Sequence, residues 1–226
     1  MKKKIDVILL CGGKGERLRP LTSSTPKPLL NVNKKPFLLY IINNFLKLNV
    51  GTIVLAAGYR VEKIKKFKKK YFKNNKKIII IDSGNADIAE RIRDSSHLIK
   101  NDFFVCYGDT YIKMNLKNYL KIFYRLNHNL DGIVTGAYYQ LKFGIMKKTK
   151  KNIIQKFKEK PIIQDPINLG NFIFKNKVLK KIHKSKSWID FLNRSSKNKI
   201  SIFITKKEYF TFDSPREYNE IKTTFV

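Results

Sequence analysis

Acidic residues are scarce in this chain: 17 aspartates and glutamates stand against 48 lysines and arginines, a formal net charge of +31 over 226 residues. Cysteine is almost absent. Cys11 and Cys106 each fall at the end of a predicted strand, which argues against a disulfide-built fold and for two small buried thiols in a cytoplasmic protein. No apolar run approaches the roughly 18 residues of a membrane-spanning helix. The basic start, Met1 to Lys4, is followed by too few apolar residues before Gly12 for a signal-peptide core. Two common phosphate-binding patterns are also missing. No Gly-Lys-Ser/Thr follows the first glycines, which disfavours a P-loop ATPase, and Leu18 interrupts G-x-G-x-x-G, which disfavours a dinucleotide fold.

The positive charge has two explanations. One is binding to nucleic acid or to an anionic membrane. The other is A/T-rich codon use, since Lys, Asn and Ile are all in excess. The lysines are scattered, with modest clusters at 63–70 and 147–151, and aromatics do not alternate with them as a stacking platform requires. The second explanation, combined with anionic small substrates, is the one adopted, with no specific nucleic-acid partner and no membrane span.

A hydrophobic content of 42% supports a full core. Strand and helix patterns alternate along the first part of the chain. Strands are expected at Ile5–Leu10, 52–57, 78–81, Phe103–Tyr107 and 132–138, and helices at 36–48, Val61–Phe72, 86–99 and 116–126. That order predicts an α/β fold, a Rossmann-like mixed, mainly parallel sheet flanked by helices. Shorter strands follow at 144–146, 153–157, 169–174 and Ile200–Ile204, with short helices at 178–182 and 188–192. No linker separates the parts, so one domain is expected over 1–226, with a first half (1–139) and a second half (140–226). Gly12, Gly58, Gly84 and Gly108 directly follow predicted strands, along the edge where such sheets bind ligands.

The densest signal follows the first strand: Gly12-Gly13-Lys14-Gly15-Glu16-Arg17-Leu18-Arg19-Pro20, then Leu21-Thr22, then Pro26-Lys27-Pro28-Leu29-Leu30. Glycines let backbone N–H groups approach phosphate oxygens, and the cations neutralise them. The stretch resembles the signature of the sugar-1-phosphate nucleotidylyltransferases, G-G-x-G-x-R-L-x-P-x-T followed by P-K-P-L. The resemblance runs through further motifs over nearly the whole chain: Tyr107-Gly108-Asp109, Phe143-Gly144, Phe157-Lys158-Glu159-Lys160-Pro161, Asn168-Leu169-Gly170 and the Asp213 to Tyr218 segment.

The resemblance implies roles. Arg17 and Lys27 are the catalytic cations. Leu10, Gly12, Gly13, Lys14, Gly15, Asp82, Ser83, Gly84 and Gly108 bind the nucleotide. Gly144, Glu159, Lys160, Asn168 and Gly170 bind the sugar phosphate. Asp109 and Asp213 hold Mg²⁺, a hard cation suited to carboxylate and phosphate oxygens. Glu217 reads as a helix-start acid.

One segment departs from the pattern. Ile81-Asp82-Ser83-Gly84-Asn85, with Arg91-Ile92-Arg93 after it, is similar to the glucose-1-phosphate cytidylyltransferases, but Ala89-Glu90 stands where the family has Gly-Gly. The short chain looks more like the heptose- and mannose-1-phosphate guanylyltransferases. The implied activity joins a nucleoside triphosphate, CTP or GTP, to a sugar 1-phosphate, for a surface polysaccharide, in an enzyme that could be a homo-oligomer. The alternatives are a related enzyme acting on a phosphoalditol or phosphocholine, and a catalytically weak nucleic-acid-binding homologue. Ala89-Glu90 is expected either to face the base or ribose or to rotate onto a solvated helix face.

Overall fold

The computed structural model describes residues 3–126, 130–194 and 199–225. Its centre is a seven-stranded sheet. The apolar run of β1 (Ile5–Leu10) is buried on both faces, as a central parallel strand must be. It lies between β4 (Val50–Ala57) and β6 (Phe103–Tyr107), parallel to both, and β5 (Ile78–Asp82) extends the sheet beyond β4. On the other side come β11 (Ile167–Phe174), β8 (Gly132–Ala137) and β12 (Ile200–Ile204), giving the order β12-β8-β11-β6-β1-β4-β5. Only β11 runs against its neighbours, so the sheet is mixed and mainly parallel, as expected.

Side chains alternate between two cores. Ile5, Val7 and Leu9 point into one, packed by α1 (Phe37–Leu46), α2 (Val61–Phe72), α4 (Leu116–Arg125) and the C-terminal α7 (Pro215–Thr224). Ile8, Val54 and Ala56 point into the other, covered by α3 (Ile88–Ser95), α5 (Val178–His183) and α6 (Trp188–Asn193). Asp6, buried in β1, accepts hydrogen bonds from the backbone N–H groups of Thr52 (2.7 Å), Lys100 (2.9 Å) and Asn101 (2.8 Å). It thereby pins the starts of the central strands. Both cysteines are buried and unpaired, and no helix among the described residues is long and apolar enough to cross a membrane.

Three small strand pairs complete the chain. β2 (Asn31–Val32) and β3 (Lys35–Pro36) turn through Asn33 and Lys34, both left-handed. β7 (Thr110–Ile112) pairs antiparallel with β13 (Tyr209–Thr211), which returns the C-terminal segment to the end of β6. β9 (Ile145–Lys148) and β10 (Ile154–Lys158) form a separate hairpin. The helix expected over 86–99 is shorter. It starts at Ile88, ends at Ser95, and passes into a 3₁₀ turn at Ser96–Leu98.

Candidate active site

The polypeptide leaving β1 curls into the glycine turn. Gly15 is left-handed (φ 62°), and its carbonyl accepts a hydrogen bond from Thr22 Oγ1 at 2.7 Å. Gly13 has open space where a side chain would be, so its backbone is free to meet a ligand. Gly12 serves another purpose. A Cβ there would overlap the guanidinium of Arg91.

Arg91, on α3, is buried and donates to the carbonyls of Ala57, Gly12 (3.2 Å) and Gly84 (2.9 Å). One side chain thus ties together the turns after β1, β4 and β5. Burial pushes its pKa below the ordinary value, while nearby charges including Asp82 oppose this. Arginine remains charged all the same.

A second cation stands across the turn. Lys27 sits in a 3₁₀ turn with only 6% of its surface exposed. Its Nζ lies 2.6 Å from Asp109 Oδ2 and 2.6 Å from Asp213 Oδ1. Arg17 adds an ion pair to Asp213 at 3.2 Å. The β7–β13 pairing explains the convergence, since Asp109 directly precedes β7 and Asp213 closely follows β13. Burial alone would raise the Asp213 carboxyl, but the hydrogen bond and charge of Lys27, with Arg17, hold it below the ordinary value. Cys11 is different. Burial, then the charge of Asp109, pushes its thiol well up.

These groups line a cavity of about 540 Å³. Of the expected residues, Leu10, Gly12, Gly13 and Gly15 form its glycine wall, and Arg17, Lys27, Asp109 and Asp213 its charged wall. Arg91, Tyr107, Trp188 and Asp87 also line it and were not foreseen there. Lys14 is exposed and outside the lining. Asp82, Ser83 and Gly84 form the turn behind Arg91: Asp82 Oδ1 accepts from the Gly84 N–H (3.0 Å), and the Ser83 N–H donates to the Ala57 carbonyl (3.1 Å). Gly108 closes β6 onto β1 through an N–H bond to the Leu10 carbonyl (3.0 Å).

None of the residues expected at a sugar phosphate lines this cavity. Gly144, Glu159 and Lys160 flank the β9–β10 hairpin, with Lys160 Nζ 3.8 Å from Glu159 Oε1. Asn168 Oδ1 accepts from the Gly170 N–H (2.8 Å), and Gly170 is left-handed with the Tyr107 ring against its backbone. Tyr107 therefore stands between Gly170 and the cavity.

The Ala89-Glu90 segment does not line the cavity; Glu90 is exposed at the start of α3, the second of the two expected positions, where it caps the helix. Ala89 is wholly buried in the core. Glu90 closes a capping box with Asp87, accepting from the Asp87 N–H (2.6 Å) and donating its own N–H to Asp87 Oδ1 (2.7 Å). A helix start has free N–H groups, and this carboxylate satisfies one of them. Glu217 does similar work at α7, accepting from the Asp213 N–H (2.8 Å), in keeping with a helix-start acid.

No cluster of three or more His, Cys, Asp or Glu side chains suited to a metal occurs among the described residues. Asp109 and Asp213 do meet at a single ammonium, which shows that one cation fits between them. A hard divalent ion that completes its shell with phosphate oxygens and water needs only such a carboxylate pair.

Residues 6–208 match the model of the nucleotidyl transferase family. Among curated relatives, the bifunctional protein GlmU of Methanocaldococcus jannaschii is 34% identical over 187 residues, covering 80% of this chain and 43% of that protein. A mannose-1-phosphate guanyltransferase of Hypocrea jecorina is 33% identical over 186 residues, covering 77% and 50%. The chain thus spans half or less of these relatives' length. The fold matches crystal structures of HddC from Yersinia pseudotuberculosis (TM-score 0.75, 24% identity, 98% of this chain and 100% of that one) and apo UDP-glucose pyrophosphorylase (TM-score 0.72, 15% identity, 98% of each). HddC has also been solved with GMP-PN, with a TM-score of 0.73 at 23% identity, covering 98% of this chain and 100% of that one.

Proposed function

The chain belongs to the nucleotidyl transferase family, and we propose that it transfers a nucleotidyl group from a nucleoside triphosphate to a sugar 1-phosphate. A phosphate oxygen of the sugar 1-phosphate attacks the α-phosphorus. The bond from that phosphorus to the α,β-bridging oxygen breaks, and pyrophosphate leaves with the electron pair. The attacking phosphate is already an anion, so no protein base or nucleophile is required. Catalysis then consists of positioning and charge neutralisation.

The observation that carries this reading is the buried ammonium of Lys27, held between Asp109 and Asp213 beside the open backbone of Gly13. Gly13 and Gly15 present backbone to the phosphates. Arg17 pairs with the triphosphate, and Lys27 neutralises the α-phosphate as charge builds there. Asp109 and Asp213 would hold Mg²⁺, which when bound supplies further neutralisation of phosphate oxygens. Lys160 orients the attacking phosphate, and Glu159 and Asn168 bond sugar hydroxyls. The favoured triphosphate is GTP or CTP, and the proposed product is an activated sugar for a polysaccharide, made in the cytoplasm. The guanyltransferase among the relatives supports the former base, and the Asp82-Ser83-Gly84 segment the latter.

The test is pyrophosphate release with Mg²⁺, each of ATP, CTP, GTP, UTP and dTTP, and a panel of sugar 1-phosphates. Release should require both substrates and favour one pair. No release from any pair contradicts the reading.

A further inference from the structure

The β9–β10 hairpin stands apart from both cores. Every residue of its two strands is exposed. Its base is tied by the Gln140–Ile162 bridge and by N–H bonds from Leu141 to the Pro161 carbonyl and from Ile163 to the Tyr139 carbonyl, both 3.0 Å. The molecule's exposed large apolar side chains concentrate here, among them Phe143 (80% exposed), Met146 (61%), Ile153, Ile154 and Phe157. Residues 141–160 also carry eight lysines and a single acid, Glu159.

Phe157 pairs with Met146, Lys156 with Lys147 and Lys158 with Ile145. Facing residues share a side of a hairpin, so both of its sides mix apolar groups with ammonium groups. Lys147 and Lys156 lie directly opposite each other, an arrangement that repels. Neither has an ion-pair partner among the described residues. A lone two-stranded hairpin is marginal in water, and a concentrated apolar patch marks a binding surface.

We propose that this hairpin docks the protein onto an anionic lipid bilayer. The choice of occupant rests on charge and chemistry. A second copy would bring another set of eight lysines against the first. A nucleic acid would favour Arg and stacked aromatics, and the hairpin contains no Arg. A bilayer takes both kinds of group at once, the lysines at acidic headgroups and Phe, Met and Ile in the interfacial layer. The two strands of the hairpin do not line the cavity, and the docking does not use Glu159 or Lys160 at its base, which the reaction proposed above assigns to the sugar phosphate.

The experiment is co-sedimentation of the full chain with vesicles of phosphatidylcholine alone or mixed with phosphatidylglycerol, at about 0.15 M salt. One variant reverses Lys147, Lys148, Lys150 and Lys151 to Glu. A second, Met146→Ser with Ile154→Ser, leaves the charge unchanged. The control reverses Lys65, Lys68 and Lys69 on α2 and Lys73 just after it, which line another basic groove. The wild type should bind only the mixed vesicles. The charge variant should lose at least about tenfold in affinity, the apolar variant several-fold, and the control little. Three results overturn the proposal: equal loss in the control, an apolar variant that binds like wild type, or a dimer in sedimentation that the hairpin substitutions abolish. Melting curves of each variant identify any loss that comes from misfolding, and the apolar variant tests the idea independently of charge.

Discussion

Lys27 Nζ lies 2.6 Å from Asp109 Oδ2, although 82 residues separate them in sequence. The same nitrogen reaches Asp213, 186 residues away. One buried ammonium therefore gathers the end of β6, the C-terminal segment and the turn after the glycines. Lys27→Ala should lower turnover by roughly 10²–10³-fold, the scale of one preorganised charge donor. Arg17→Ala should lose activity on the same scale. Steady-state kinetics checks both, and a fully active Lys27→Ala enzyme would remove that residue from the chemistry.

Asp109→Asn and Asp213→Asn each leave Lys27 one carboxylate partner. The fold should survive without metal, with Asp213→Asn melting lower at neutral pH because it loses its pairs with Lys27 and Arg17, whereas Mg²⁺-dependent turnover should vanish. Titration of Mg²⁺ against activity is the check. Superimposable curves in mutant and wild type would show that these carboxylates do not hold the ion.

The depressed carboxyl of Asp213 has a pH signature. Its folded pKa lies below the ordinary 3.8, so its contribution to stability is complete above that value. The contribution is lost as pH falls through the lower, folded value. Thermal melts from neutral pH into acid should fall more steeply below pH 3.8 in wild type than in Asp213→Asn. Parallel curves would mean that Lys27 and Arg17 do not stabilise the charged form.

Gly12 and Arg91 compete for one space. Gly12→Ala should cost about 1–3 kcal/mol, as overpacking does, and should displace the guanidinium from its three carbonyls. Combining Gly12→Ala with Arg91→Ala should cost less than the sum of the single changes. Strict additivity in chemical denaturation would show that the two side chains do not meet.

Replacing Ala89-Glu90 by Gly-Gly should remove the capping box and add two flexible residues to α3, costing about 2–3 kcal/mol. The ranking of CTP, GTP and UTP should stay the same, since neither residue lines the cavity. A changed ranking would return this segment to base selection.

The residues show which parts of this structure can be read in advance. β1, α2, β6 and β12 keep their expected limits because predominantly apolar runs or a helical stripe end at small and polar residues. β7 and β13 escape such reading because strands of three residues have no periodicity, and their pairing is long-range. That pairing nevertheless sets Asp109 beside Asp213. Arg17 and Lys27, the proposed catalytic cations, were legible through the glycine-turn motif. Arg91 stood in a recognised segment, but nothing there indicated its role. Its partners are backbone carbonyls on three separate turns, and sequence spacing does not encode them. Trp188 reaches the cavity only because α5 and α6 fold back across α3.

The central claim is transfer of a nucleotidyl group to a sugar phosphate, and following the α-phosphorus tests it most directly. Triphosphates labelled at that atom, incubated with the protein, Mg²⁺ and sugar 1-phosphates, should yield label in a sugar nucleotide with a diphosphate bridge, alongside unlabelled pyrophosphate. Label that stays in the triphosphate with every sugar phosphate, or passes only into free mono- or diphosphate, would contradict it.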